Sequence, residues 1–178
     1  MKTKALFLDR DGVINVEKNY VHRIVDFEFQ PHVFEVLREF QAAQYKLIII
    51  TNQAGIAKGY YTEEQFHTLN NWMLERFAEA RVLINRVYFC PYHLDGIPPY
   101  RQDSMFRKPN PGMILAARDA FSLDLGSSLL VGDQESDIQA GRNAGVKTNL
   151  LLATDPIKQR ETAATSVIQN LSELVKWI

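Results

Sequence analysis

Two carboxylates, Asp9 and Asp11, stand two residues apart where the apolar run of residues 5–8 stops, and Gly12 follows them. Like charges about 4 Å apart repel by roughly 4 kcal/mol at an effective dielectric of about 20, so such a pair calls for a cation. Thr51 closes a second, β-branched run, Arg107 and Lys108 form a basic pair, and Asp133 and Asp137 frame the run Gly132-Asp-Gln-Glu-Ser-Asp. Carboxylates to hold a hard cation, a hydroxyl to donate to an oxyanion and two fixed positive charges are what a phosphoryl-transfer site needs. No His or Cys lies among them, and an all-oxygen donor set suits Mg2+. Taken alone, each piece has an ordinary structural use. Asp-x-Asp-Gly makes a turn, Lys-Pro sits in loops, and Gly-Asp-x-x-x-Asp starts a helix with its cap and an acidic first turn.

Those residues need elements to bring them together. Residues 5–8 show no polar alternation and read as a central parallel strand, and residues 46–50 read the same way. Ligands of open α/β sheets bind beyond the carboxyl ends of the strands, where Asp9, Thr51 and Asp133 fall. Residues 13–31 read as a long loop over the site, with a short strand or hairpin around residues 26–29. A helix is expected over residues 32–44. Thr62-Glu-Glu-Gln is a capping-box signature ahead of a five-turn helix that buries Phe66, Leu69, Met73 and Phe77. A third strand covers residues 86–90, and residues 91–111, with five prolines, carry no regular structure. A helix over 112–121, a strand over 128–131 and a helix over 136–144 ended by Gly145 follow. Strands over 146–152 and 166–168 and a helix over 171–177 capped by Asn170 finish the chain. The alternation predicts an α/β fold, a doubly wound parallel sheet, in one domain over residues 1–178.

Leu8-Asp-Arg-Asp-Gly-Val13, Ile50-Thr-Asn-Gln53, Arg107-Lys-Pro109 and Val131-Gly-Asp-Gln-Glu-Ser-Asp137 occur in the order and register of the four motifs of the haloacid dehalogenase-like phosphatases, which the chain resembles from its first strand to its last helix. Asn15, Asn19-Tyr-Val-His22 and Phe27-Glu-Phe29 narrow the resemblance to the heptose 1,7-bisphosphate 7-phosphatases and their relatives, the histidinol-phosphate phosphatases. The resemblance implies a Rossmann-like core, a Mg2+-dependent phosphomonoester hydrolysis and an aspartyl-phosphate on Asp9. It assigns acid/base work to Asp11, phosphoryl contacts to Thr51 and charge balance to Lys108, and leaves Arg107 to hold phosphoryl or substrate oxygens as a planar fork. The metal would be held by Asp9, the Asp11 backbone carbonyl, Asp133 and, less directly, Asp137. The gaps between motifs are too short for a separate cap domain, so specificity falls to loops, with Asn15, Asn19, Tyr20, His22, Asn52, Gln53, Lys58, Arg107 and Lys108 as candidate substrate contacts. Many relatives carry a zinc-binding Cys-x-His and Cys-x-Cys before the Arg-Lys pair. Here Tyr92, Ser104 and Phe106 replace three of the four ligands and only Cys90 remains, so no structural zinc is expected and Tyr92, Tyr100 and Phe106 are expected to pack the loop down.

A net charge of −1 offers no broad field for nucleic acid or an anionic membrane, and no apolar run approaches the length of a membrane-spanning helix. One cysteine admits no intrachain disulfide, and Met1, Lys2, Thr3 and Lys4 run into the first strand without a signal-like segment, so a cytoplasmic monomer acting on a small sugar phosphate is expected. A phosphoryl-acceptor module without turnover is the competing class. It has no use for Asp11 two residues after Asp9.

Overall fold

The structure, a computed structural model, describes residues 3–178; Met1 and Lys2, the start of the run leading into the first strand, lie outside the described residues. Six strands, β1 (Lys4–Leu8), β2 (Tyr45–Asn52), β3 (Ile84–Cys90), β4 (Leu129–Gly132), β5 (Thr148–Leu152) and β6 (Ser166–Ile168), form one parallel sheet in the order β3-β2-β1-β4-β5-β6. The helices are α1 (Val33–Ala42), α2 (Ala54–Ala57), α3 (Glu63–Glu79), α4 (Gly112–Phe121), α5 (Glu135–Ala144) and α6 (Pro156–Arg160). The chain winds outward in one direction from β1 to β3 and in the other from β4 to β6. The switch point between β1 and β4 is where such sheets open a crevice for ligands.

Alternation along the central strands divides the core. Leu6, Leu8, Leu47, Ile49 and Val131 face one way and join Val36, Leu37 and Phe40 of α1 and Leu69, Met73 and Phe77 of α3. Ala5, Phe7, Ile48, Ile50 and Leu130 face the other way, onto Met113, Ile114 and Ala117 of α4 and Ile138 and Ala140 of α5. Covered on both faces, β1 and β2 need no polar positions, which is why their sequences read as unbroken apolar runs.

Several boundaries differ from the sequence reading. β2 extends to Asn52 because it pairs with β3 as far as Cys90, a contact its own sequence does not announce. β5 starts at Thr148, because Val146 still belongs to the turn after α5 and donates its N–H to the Gly141 carbonyl. Residues 13–31 contain a 3-10 turn at Ile24–Asp26 and a single antiparallel bridge between Asn15 and Phe29 rather than a hairpin. The C-terminal segment Leu171–Trp177 is a 3-10 helix. Asn170 does not cap its backbone, because its side chain bonds to Glu173 and Ser172 instead. The short helices α2 and α6 were not foreseen, although α6 carries the signal of an Asp N-cap followed by proline: Asp155 accepts the Ile157 N–H at 2.8 Å. The capping box of α3 and the left-handed Gly145 after α5 are as expected.

Residues 91–111 form no helix or strand. Backbone hydrogen bonds tie this loop down, His93 to Tyr100, Ile97 to Ala57 and Gly112 to Met105. The Tyr92 and Tyr100 rings lie 6.1 Å apart, and Phe106, 38% exposed, sets the edge of its ring against Gly112 at the start of α4.

Candidate active site

β1, β2 and β4 end at one edge of the sheet and deliver Asp9, Thr51 and Asp133 there. The Asp9 N–H bonds to the Val131 carbonyl at 3.0 Å, so Asp9 is still tied to the sheet. Gly12 follows with a left-handed φ of 92°, and a Cβ there would fall 2.4 Å from Asp133 Oδ2. Only glycine lets the turn after Asp11 close against Asp133.

Lys108 reaches the same point from the proline-rich loop. Its ammonium donates to Asp9 Oδ1 at 2.7 Å and the Ile50 carbonyl at 3.0 Å, and pairs with Asp137 Oδ1 at 2.7 Å. Three acceptors meet the three donors of a lysine. Asn52 holds the Lys108 backbone from both sides, accepting its N–H at 3.0 Å and donating to its carbonyl at 3.1 Å. Asp137 Oδ2 accepts the N–H groups of Asp133 and Gln134 at 3.1 and 3.0 Å, so this one carboxylate caps α5 and faces Lys108.

Asp11 is held by three donors. Arg10 Nη2 and Asn15 Nδ2 reach Oδ1 at 2.7 and 3.1 Å, and Gln53 Nε2 reaches Oδ2 at 3.1 Å. Gln53 Nε2 also donates to Thr51 Oγ1 at 2.8 Å, and its Oε1 accepts the Tyr61 hydroxyl.

Burial and charge act together on the carboxylates. Asp9 is held well above the usual carboxylate range, chiefly by burial and then by the Asp137 charge, with the Lys108 ammonium opposing and Asp133 adding. Asp133 is pushed up to about 6, again by burial and then by Asp137. Burial works to lower the Lys108 pKa, but the charges of Asp137 and Asp9 outweigh it and raise that pKa above the ordinary lysine value. Lys108 is thus paired with Asp9 and Asp137, while Asp133 feels Lys158 and Lys108 only as weaker, opposing charges. Ligand oxygens of Asp9, Asp133 and Asp137 lie within 4.8 Å of one another, and the buried Asp133 Oδ1 has no hydrogen-bond partner. An unpartnered carboxylate oxygen in an all-oxygen cluster with surplus negative charge fits a divalent, hard cation such as Mg2+.

These groups open into a cleft of about 250 Å³ lined by Asp9, Asp11, Asn19, Tyr20, Asn52, Gln53, Lys108, Asp133 and Asp137. A larger cavity of about 520 Å³ shares only Glu17 and Asp133 with it, so the chemistry belongs to the smaller one. Five of the sequence candidates, Asn15, His22, Thr51, Lys58 and Arg107, stand outside the cleft lining. Asn15 is buried behind Asp11, and His22 stacks on Tyr61 with centroids 4.8 Å apart. Lys58 donates to the Tyr20 hydroxyl at 3.0 Å, and the Arg107 guanidinium is directed at the Tyr92 carbonyl, 3.4 Å away. Thr51 is fully buried and meets the cleft through Gln53. Glu17, Ala54, Tyr61, Gln134 and Ser136 line the cleft without having been singled out. Gln134 and Ser136 lie inside the Gly132–Asp137 run, which could have marked them, whereas nothing in the sequence marks Tyr61.

Comparison with known proteins settles the family. Residues 105–174 match the HAD-hydrolase-like family model. The chain is 51% identical over 179 residues to a D-glycero-alpha-D-manno-heptose-1,7-bisphosphate 7-phosphatase of Burkholderia mallei, covering 100% of this chain and 95% of that one. The chain belongs to the haloacid dehalogenase-like phosphatases. This phosphatase is also 44% identical over 177 residues to the D-glycero-beta-D-manno-heptose-1,7-bisphosphate 7-phosphatase of Escherichia coli K12, covering 98% and 93% of the two chains. Among solved structures, the phosphatase resembles a protein from Mesorhizobium loti described as HAD-like, with a TM-score of 0.87, 34% identity and coverage of 99% and 86%. A heptose bisphosphate phosphatase from B. bronchiseptica, crystallised with magnesium and phosphate, shares the fold at 24% identity, with a TM-score of 0.86 and coverage of 98% and 97%.

Proposed function

We propose that this phosphatase removes the 7-phosphate of D-glycero-D-manno-heptose 1,7-bisphosphate in the cytoplasm, within the supply of nucleotide-activated heptose for lipopolysaccharide. The observation that carries this reading is the meeting of Asp9, Asp11, Lys108, Asp133 and Asp137 at one cleft, in a chain that matches heptose bisphosphate 7-phosphatases over its full length.

Asp9 supplies the nucleophilic oxygen. Its raised pKa reflects a charge that burial disfavours, so Lys108 is needed to keep it a carboxylate and aligned. Asp9, Asp133 and the backbone carbonyl of Asp11 would hold Mg2+, with Asp137 orienting the set through Lys108 and the α5 N-terminus. When bound, the ion offsets the repulsion between the carboxylate and the incoming phosphate. Asp11 gives a proton to the sugar oxygen as its bond to phosphorus breaks, then takes one from the water that attacks the aspartyl-phosphate. Thr51 and the backbone N–H groups near Arg10, Asp11 and Asn52 hold phosphoryl oxygens. Asn19, Tyr20 and Gln53 line the path of the sugar. Lys58, carried at the outer rim on Tyr20, and Arg107 on the adjoining loop are the cations offered to the 1-phosphate.

The names of the relatives divide between the alpha and beta anomers at similar identity, so the substrate test includes both. Specificity constants are compared for the two heptose bisphosphate anomers, fructose 1,6-bisphosphate and histidinol phosphate. One heptose anomer is expected to exceed the other compounds by at least about tenfold, a discrimination of about 1.4 kcal/mol. Preference for histidinol phosphate would overturn the assignment, and a single burst of one phosphate per chain would indicate a phosphoryl acceptor.

A further inference from the structure

Gln53 lines the cleft, yet all of its polar atoms are engaged inside the protein. Its amide nitrogen donates to Asp11 Oδ2 at 3.1 Å and Thr51 Oγ1 at 2.8 Å, and its oxygen accepts from the Tyr61 hydroxyl. The reverse orientation would aim a carbonyl oxygen at a carboxylate, so Tyr61 and Asp11 select the same rotamer. Two consequences follow. Thr51 Oγ1 accepts from Gln53 at 2.8 Å, and its own proton is committed only to a long bond of 3.5 Å to the Asn52 carbonyl, which a phosphoryl oxygen can replace. Asp11 Oδ1 accepts from both Arg10 and Asn15, which fills its two lone pairs, whereas Oδ2 accepts from Gln53 alone.

We propose that Gln53 and Tyr61 are positioning residues of the hydrolysis. Tyr61 fixes the Gln53 amide, which turns the Thr51 hydroxyl toward the phosphate and leaves Asp11 Oδ2 as the oxygen that exchanges the proton. This rests on the acid/base reading of Asp11 above. In the first half-reaction an Asp9 oxygen bonds to phosphorus, the bond from phosphorus to the sugar oxygen breaks, and the proton on Oδ2 passes to that oxygen. In the second, a water oxygen bonds to phosphorus, its proton returns to Oδ2, and the bond between phosphorus and the Asp9 oxygen breaks.

Tyr61 is built into place for this. It is 5% exposed, its ring lies parallel to His22 with an interplanar angle of 5°, and it packs so tightly on Gly55 that a Cβ there would fall 2.2 Å from the ring. Phenylalanine would keep that packing and remove only the hydroxyl.

The test uses two leaving groups. A sugar alkoxide needs a proton as it departs, whereas p-nitrophenolate does not, and kcat/KM reports the step in which it leaves. Tyr61→Phe is expected to lower kcat/KM for the heptose bisphosphate by about tenfold more than for p-nitrophenyl phosphate, a part of the roughly 10²–10⁴-fold that general-acid catalysis contributes. Equal losses on the two substrates, or no loss on the sugar phosphate, would overturn the proposal. Asp11→Asn is run alongside. If it shows no leaving-group dependence, the acid/base reading itself fails, which is distinct from a failure confined to Tyr61→Phe. Gln53→Met, similar in volume and without either amide atom, carries the same expectation and keeps the question open to refutation should Tyr61→Phe not fold.

Discussion

Lys108 is the cation around which the acidic cluster is arranged, and its three short contacts explain why it cannot be exchanged freely. Lys108→Met leaves Asp9, Asp133 and Asp137 facing one another without an ammonium; breaking a buried pair in this way costs roughly 3–5 kcal/mol, measurable by urea denaturation of the metal-free protein. Asp9→Asn acts in the opposite sense. A carboxylate whose pKa burial and Asp137 hold high is unfavourable when charged, so the neutral amide relieves the cluster. Thermal denaturation of the metal-free variant is expected to show no loss of Tm, while turnover falls by at least about a thousandfold because an amide cannot form the aspartyl-phosphate. Turnover within tenfold of wild type would remove Asp9 from the nucleophile role.

Elements matter here through their ends. The last residue of β2, Asn52, clamps the Lys108 backbone, so Asn52→Ala strips two partners from a buried segment. A loss of about 1–3 kcal/mol in stability is expected, with a fall in kcat larger than any change in KM, since the misplaced group is Lys108 rather than a sugar contact. At the end of β4, a Cβ on Gly132 would stand 2.1 Å from Asp137 Cβ. Gly132→Ala must therefore push α5 away, at roughly 1–3 kcal/mol, and draw Asp137 off both Lys108 and the helix N-terminus. Equilibrium unfolding together with kcat measures both effects. The strand interiors that lead to these ends were legible as apolar runs, and the capping box of α3 as a four-residue signature. The ends themselves were legible to within one or two residues, because pairing with a neighbouring strand decides where a strand stops and no local pattern encodes the neighbour.

On the scale of the molecule, a site that collects three carboxylates is expected to tie stability to a bound divalent cation. Mg2+ is expected to raise the Tm of wild type in proportion to the logarithm of its concentration above the dissociation constant, and to raise that of Asp9→Asn less. Thorough chelation should stop turnover and Mg2+ restore it. Metal analysis of protein purified without added zinc should give no stoichiometric zinc. Cys90 Sγ is directed at the Tyr92 carbonyl and His93 Nδ1 accepts the Asp95 N–H, so both side chains already have partners within the loop. Sedimentation is expected to give the mass of one chain. The sequence by itself determined the parallel α/β sheet and the placing of Asp9 and Asp133 just beyond strand ends, because motif spacing and apolar runs are local properties of the chain, whereas Thr51 lies one residue inside the end of β2, where pairing with β3 prolongs the strand. The tertiary structure alone decided that Asn15 and Gln53 grip Asp11, that Asn52 grips Lys108, and that the Tyr61 hydroxyl donates to Gln53. Hydrogen-bond direction between residues brought together by folding depends on where each side chain finds its partner, and that information exists only after the chain has closed on itself.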